Sequence, residues 1–373
     1  MDDEFELELR SRPGRFGEAV RGRGAAGNTP NRFERAWHEI DLEADDPDLA
    51  EDGARRGLAT EFLVDSSRSI IARNESPDIP FEASLNPYRG CEHGCAYCYA
   101  RPTHEYLGYS AGLDFETKIL VKKDAAGLLR RELGSKGWKP TMLSMSGVTD
   151  PYQPAERRMR VTRACLEVLA EFRNPVAVVT KNQLVTRDLD LLSELARHGA
   201  AAVFLSITTL DAGLGRKLEP RASTPEQRLR AVEALAGAGV PVGVMVAPVI
   251  PGLTDHEMPG ILAAASRAGA KYAGYVPLRL PMAVAPLFED WLERHEPGKK
   301  AKVLGRVRGI REGKLNDAQF GSRMSGQGAF AEAIRTMFET GCRREGLNEE
   351  RLELSTKAFR RPGGSGRQME MFE

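Results

Sequence analysis

From residue 141 to 278 the chain repeats one unit, a short β-rich apolar run followed by an amphipathic helical stretch, and this alternation restricts its fold more than any other feature. Strands are expected at TMLSMSG (141–147), VAVVTK (176–181), AAVFLSIT (201–208), PVGVMVAPV (241–249) and KYAGYVPL (271–278), with a less regular one just before Cys91. Helical periodicity fills 124–134, 156–172, 187–198, 224–238, 257–269 and 283–294. Thr224, Pro225 and Gln227 supply a cap, a first-turn proline and an acceptor at one helix start, while Gly199 and Gly239 fall at helix ends. Strict alternation calls for parallel strands joined by right-handed crossovers, hence an α/β fold, either an open sheet or a barrel. In both architectures ligands gather at the carboxyl ends of the strands. The segments expected there are the cysteine-rich stretch after the first strand, then GVTDPYQP, KNQ, TTLD and APVIPGLTD.

The cysteine-rich stretch is NPYRGCEHGCAYCYA, residues 86–100, which holds three of the five cysteines as Cys91-x-x-x-Cys95-x-x-Cys98. One short loop with this spacing can present three thiolates to a metal centre from one side. A structural zinc ion would need a fourth ligand. His93 sits between two of the cysteines, where reaching the same ion is awkward. Cys165 lies on the apolar face of a helix with Val161, Leu166 and Leu169, which makes it a core thiol, and Cys342 in the far C-terminal helix is a weaker candidate still. Four-iron clusters take one cysteine per iron, so three cysteines leave one iron open. An open coordination position is the mark of a catalytic metal site.

Cys-x-x-x-Cys-x-aromatic-Cys, with Tyr97 in the aromatic place and strand-helix units after it, resembles the radical S-adenosylmethionine (SAM) superfamily over residues 80–295. The resemblance implies a partial (βα)6 barrel and a [4Fe-4S] cluster whose open iron chelates the amino and carboxylate groups of S-adenosylmethionine. It also implies reductive cleavage of the sulfonium and hydrogen abstraction from a substrate by a 5'-deoxyadenosyl radical. Within the superfamily the chain is more similar to the spore photoproduct lyase branch, through CAYCYA, SGVTDPYQPAE, VVTKNQLVTRDLDLL, SITTLD, LEPRASTPEQRL and VMVAPVIPGLTD. That similarity implies metal ligation by Cys91, Cys95 and Cys98. It further implies cofactor contacts by Thr149 and Asp150 to the methionyl amino group, Lys181 to the carboxylate, Ser206 to the ribose, and Ala247 and Tyr97 to the adenine. The lyase keeps a hydrogen-donor cysteine in the turn that here reads Gly147-Val148-Thr149-Asp150, and no cysteine lies between Cys98 and Cys165. Tyr99 matches a tyrosine that relays hydrogen in the lyase, and is the candidate catalytic residue.

The flanks differ in character. Residues 1–62 combine an Arg/Gly-rich stretch with an acidic block, which predicts a disordered or loosely docked arm able to touch phosphates. Residues 296–373 form a basic extension with one helix expected at 329–344. Its stretch 299–323 holds only two acids, Glu312 and Asp317, and is expected to bind DNA or RNA. Gln368 to Phe372 resembles the peptides by which bacterial repair proteins dock on the replicative sliding clamp. An electron donor such as a flavodoxin or ferredoxin is a further expected partner. The 373 residues carry 53 Lys and Arg against 53 Asp and Glu, so nothing draws the whole chain to nucleic acid or membrane. With no secretory start and no apolar run near about 18 residues, the expectation is a cytoplasmic protein away from the membrane. Alternative expectations are the same radical chemistry on a peptide or small molecule, or a metal-binding interaction module without turnover.

Overall fold

Six parallel strands lie side by side in sequence order. β3 (Ala83–Leu85), β6 (Leu143–Met145), β7 (Val176–Thr180), β8 (Ala201–Ser206), β9 (Val242–Val249) and β10 (Tyr272–Pro277) make consecutive neighbours, and β2 (Ile71–Arg73) adds an antiparallel edge beside β3. The structure, a computed structural model, describes residues 19–33 and 58–362. The five strands expected between 141 and 278 all form; β6 and β8 are buried along almost their whole length, β7 alternates buried and half-buried residues, and the edge strand β10 is mostly half-buried. The sheet is open between β10 and β2, which is the expected partial (βα)6 arrangement. A second sheet orders β1 (Glu61–Val64), β5 (Lys118–Val121) and β4 (Tyr88–Arg89).

The connecting helices match the sequence periodicity, with one break. At the helix Pro225–Gly237 the Thr224 hydroxyl accepts from the Gln227 amide at 3.3 Å and the Gln227 side chain accepts from the Thr224 amide at 2.9 Å, completing the capping box. The stretch 156–172, expected as one helix, divides into Glu156–Met159 and Val161–Phe172 at Arg160, whose φ is 52°. The cause is the fully buried Glu156. Its carboxylate accepts from the Thr162 amide at 2.9 Å and the Arg163 amide at 3.3 Å, and so caps the second helix from outside it. Tyr88 and Arg187 also donate to it.

Both flanks are more tightly built than expected. Residues 19–33 of the N-terminal arm are not loose: Arg23, Ala25, Ala26, Thr29 and Asn31 are buried against the segment after the cysteine loop. The reason is backbone complementarity, since the Thr29 amide donates to the Ser110 hydroxyl at 2.8 Å and the Asn31 side chain donates to the Glu105 carbonyl at 3.0 Å. The remainder of the arm up to residue 57 lies outside the described residues, as does the Gln368 to Phe372 motif. The basic stretch begins with the helix Pro297–Gly309, whose Val303, Leu304 and Val307 share one apolar cluster with Cys95, Tyr97, Leu278 and Trp291. Arg311 donates to the carbonyls of Leu278, Pro277 and Arg323, each at 3.1 Å, and Arg323 grips Asp78 through two bonds of 2.7 and 2.8 Å. This segment therefore links edge strand β10 to the β2–β3 connection at the other edge. The last helix, Gly328–Glu345, packs on Met258–Arg267. Among the described residues no helix is long and apolar enough to cross a membrane.

Candidate radical SAM active site

The cysteine loop leaves β4 at Gly90 and turns twice. The Cys91 amide donates to the Phe115 carbonyl at 2.8 Å, the Ala96 amide to the Leu218 carbonyl at 3.0 Å, and a turn from Cys95 to Cys98 closes at 3.2 Å. Gly94, between the first two cysteines, has a φ of 66°, a left-handed conformation suited to glycine. Cys91 and Cys95 are each only 7% exposed and Cys98 is partly buried; all three are free thiols. Burial pushes the acidity constants of all three up, so a thiolate here needs a cationic centre to offset its desolvation. Among the described residues no three His, Cys, Asp or Glu side chains are gathered around a single-ion position. A four-iron cluster uses each thiolate on a different iron, so three thiols on one loop are a suitable donor set for it. Cys165 is fully buried in the helix Val161–Phe172, and Cys342 is buried in the last helix.

Next to this loop stands Asp150, after β6. Its carboxylate accepts from the Thr180 hydroxyl and the Lys181 amide, each at 2.7 Å, and from the Tyr152 amide at 2.8 Å. His93 Nδ1 lies 3.3 Å from the same carboxylate and its Nε2 is 3.2 Å from the Asn182 side-chain nitrogen, so both ring nitrogens of His93 are already engaged. Burial alone would raise the Asp150 acidity constant; His93 and the hydroxyl and amide donors overcome this and hold it below the usual range. Asp150 thus joins the β6, β7 and cysteine-loop ends. Thr149, also buried, donates to the Tyr88 carbonyl at 3.2 Å.

A second group lies at the ends of β7, β8 and β9. The Lys181 ammonium donates to the Ala247 carbonyl at 2.9 Å, lies 3.3 Å from Glu219, and stands 5.6 Å from the centre of the Tyr97 ring. Thr208 donates to Glu219 at 2.8 Å, and the Tyr97 hydroxyl donates to the same carboxylate. Arg228, itself buried, pairs with Glu219 and donates to the Ser206 and Ser223 carbonyls, each at 2.8 Å. Burial opposes ionisation of Glu219, but Arg228 and then Lys181 outweigh it and hold the carboxyl well below the usual range. The fold therefore gathers Lys181, Ala247 and Tyr97, and fixes Ser206 through Arg228. Sequence reading missed Glu219 and Arg228 as the pair organising this group, although both lie in LEPRASTPEQRL.

Tyr99 stands apart from both groups. Its ring is 49% exposed, its hydroxyl donates to the Gly147 carbonyl at 2.6 Å, and the Arg279 guanidinium lies 5.0 Å from the ring centre. Val148 packs against the apolar group of Cys91, Ala100 and Phe115.

The model of the Radical SAM superfamily matches residues 85–265. An uncharacterised protein of Mycobacterium tuberculosis is 37% identical over 268 residues, covering 66% of this chain and 78% of its own. The chain belongs to the radical SAM superfamily. Its membership implies a [4Fe-4S] cluster and S-adenosylmethionine. An uncharacterised protein of Methanocaldococcus jannaschii is 30% identical over 46% of this chain and 62% of that protein. A radical SAM Nalpha-GlyT isomerase of Pseudomonas phage M6 is 26% identical over 46% of this chain and 34% of that protein. Among solved structures, spore photoproduct lyase complexed with dinucleoside spore photoproduct superposes with a TM-score of 0.54 at 16% identity, covering 77% of this chain and 80% of the lyase. That likeness shows the shared fold.

Proposed function

We propose that this radical SAM protein cleaves S-adenosylmethionine at a [4Fe-4S] cluster held by Cys91, Cys95 and Cys98, and abstracts hydrogen from a nucleic acid in a lyase- or repair-like reaction. The observation that carries the reading is three free thiols on one loop, two buried and one partly buried, beside the Lys181, Ala247 and Tyr97 group at the carboxyl ends of the strands. When bound, the two cofactors supply one-electron cleavage of the sulfonium and with it the means to take a hydrogen atom. Lys181 then pairs with the methionyl carboxylate, Thr149 and Asp150 face the amino group, Ser206 the ribose, and Ala247 and Tyr97 the adenine. Tyr99, with its half-exposed phenol, is the residue we assign to hydrogen relay, since Val148 stands where a donor cysteine would be. A flavodoxin or ferredoxin supplies the electron.

A rim of arginine and aromatic side chains supports the nucleic-acid substrate. Arg279 covers Tyr99, Arg32 packs against both Phe33 and Tyr106 at 4.7 and 4.9 Å, and Arg323 covers Phe320 at 4.7 Å. Arg32 also touches Met282, three residues after Arg279, so the first two sets are contiguous. The exposed rings suit unstacked bases; Arg32 and Arg323 are held by Glu105 and Asp78, so Arg279, which has no carboxylate partner among the described residues, is the guanidinium open to a phosphate. The helix Pro297–Gly309 supports DNA or RNA binding less, because four of its five cations are paired, Lys299 with Glu296, Lys300 with Glu293, Arg306 with Asp255 and Arg308 with Glu289, while Lys302 is exposed. That pairing favours the second reading, the same chemistry on a peptide or small molecule.

Incubating the anaerobically reconstituted protein with a reductant, deuterated S-adenosylmethionine and candidate nucleic acids tests the proposal. Formation of 5'-deoxyadenosine, with label exchanged into or out of the nucleic acid, is the expected result. No 5'-deoxyadenosine from protein with a verified cluster overturns it. If label enters only peptides or small molecules, the second reading stands.

A further inference from the structure

The N-terminal segment 19–33 lies outside the region matched by the superfamily model, yet it crosses the cysteine loop at closest backbone contact. A Cβ on Gly24 would stand 1.8 Å from the Gly94 carbonyl oxygen, and one on Gly94 would stand 2.6 Å from Glu116 Oε2 and 3.3 Å from the Gly24 nitrogen. Only glycine at both positions lets the two chains meet this way. The fully buried Glu116 carboxylate receives the Gly24 amide at 3.0 Å and the Ala25 amide at 2.9 Å, and pairs with Arg101. Arg101, also fully buried, donates twice to the Cys95 carbonyl, at 3.0 and 2.9 Å. Arg23 closes the assembly by donating to the Glu116 carbonyl at 2.7 Å and the Leu58 carbonyl at 2.6 Å.

These contacts form one chain of bonds from the segment to a cluster ligand: Gly24 and Ala25 to Glu116, Glu116 to Arg101, and Arg101 to the peptide of Cys95. We propose that residues 19–33 are a strap belonging to the cluster site, and that Glu116 is the positioning residue through which the strap fixes the loop 91–98; the inference rests on the cluster reading above. A loop presenting three ligands must be held in one conformation by groups behind it, because its own turns leave several open. Gly94 is where such a loop is freest to change, and it is the residue the strap covers. The pair also sets local charge. A buried guanidinium two bonds from a ligand stabilises the reduced cluster unless a carboxylate balances it, and Glu116 is that carboxylate.

Full-length wild type, Gly24→Val and the near-isosteric Glu116→Gln are reconstituted anaerobically with iron and sulfide, and their iron content, electron paramagnetic resonance spectra, midpoint potential and cluster loss to a chelator are compared. Gly24→Val is expected to lose its cluster about 10-fold faster than wild type, the lower end of the effect of removing a partner behind a metal ligand. Glu116→Gln is expected to shift the midpoint potential to more positive values and alter the resonance g-values, which a merely structural role would not do. If Gly24→Val does not fold, the potential of Glu116→Gln decides. Wild-type loss rates, g-values and potential in the variants overturn the strap proposal. Failure of the wild type to take up a four-iron cluster overturns instead the reading on which it rests.

Discussion

The Lys181 ammonium and the Ala247 carbonyl meet at 2.9 Å, which ties the end of β7 to the end of β9 across β8. The same ammonium lies 3.3 Å from Glu219, so it is held in place before any cofactor arrives. Replacing Lys181 by Met keeps the apolar stem and removes the charge. The expected outcome is S-adenosylmethionine binding weakened about 10-fold, the equivalent of one charge-assisted hydrogen bond. Equilibrium binding to the reconstituted protein checks it, and unchanged affinity would remove Lys181 from the cofactor site.

Cys91, Cys95 and Cys98 share one loop, whereas Cys165 is buried in the helix Val161–Phe172 among the apolar core. Serine at any of the first three is expected to abolish the four-iron absorption band and most bound iron. Cys165→Ser is expected to leave both largely intact. Equal iron loss from Cys165→Ser and Cys95→Ser would refute the ligand assignment.

Glu219 and Arg228 form a buried ion pair, so removing one partner strands the other. Glu219→Ala is expected to destabilise the fold by about 3–5 kcal/mol, measured by denaturant unfolding. The pair also predicts an acid limb. A carboxyl held below its usual range contributes stability that is present above about pH 4 and is lost as pH falls through the folded value. The wild type should therefore weaken progressively below about pH 4, and Glu219→Gln should show a shallower limb.

His104 lies fully buried beside Phe115 and Tyr109, and neither ring nitrogen has a hydrogen-bond partner among the described residues. Burial, opposed by nearby Asp114, lowers its acidity constant to about 4. The unfolded chain takes up this proton near pH 6.5 and the folded one does not, so the His104 contribution should lower stability between about pH 6.5 and pH 4 and change no further below that. Replacement by Phe is expected to flatten that part of the stability profile. A profile identical to wild type would show that His104 does not titrate in this range.

The alternation of β-branched runs with amphipathic helices was enough to predict β6 to β10 as parallel strands, because each element's period is a local property of its own residues. Their arrangement as a partial barrel came from the family resemblance. The strand just before Cys91 is β4 of the second sheet, and β3 at Ala83–Leu85 starts the parallel series. The cysteine spacing likewise identified the loop that carries the thiols. The break at Arg160 was not legible, since it depends on Glu156 being buried under Tyr88 and Arg187, which come from elsewhere in the chain. Nor was the charge of Lys299, Lys300, Arg306 and Arg308, because carboxylates on neighbouring turns and on other helices pair with them only after folding. Most of all, only the tertiary structure seats Gly24 on Gly94. A glycine-rich basic stretch has the composition of a loose arm, and what orders it is the Glu116 carboxylate, 92 residues away, which composition and periodicity cannot register.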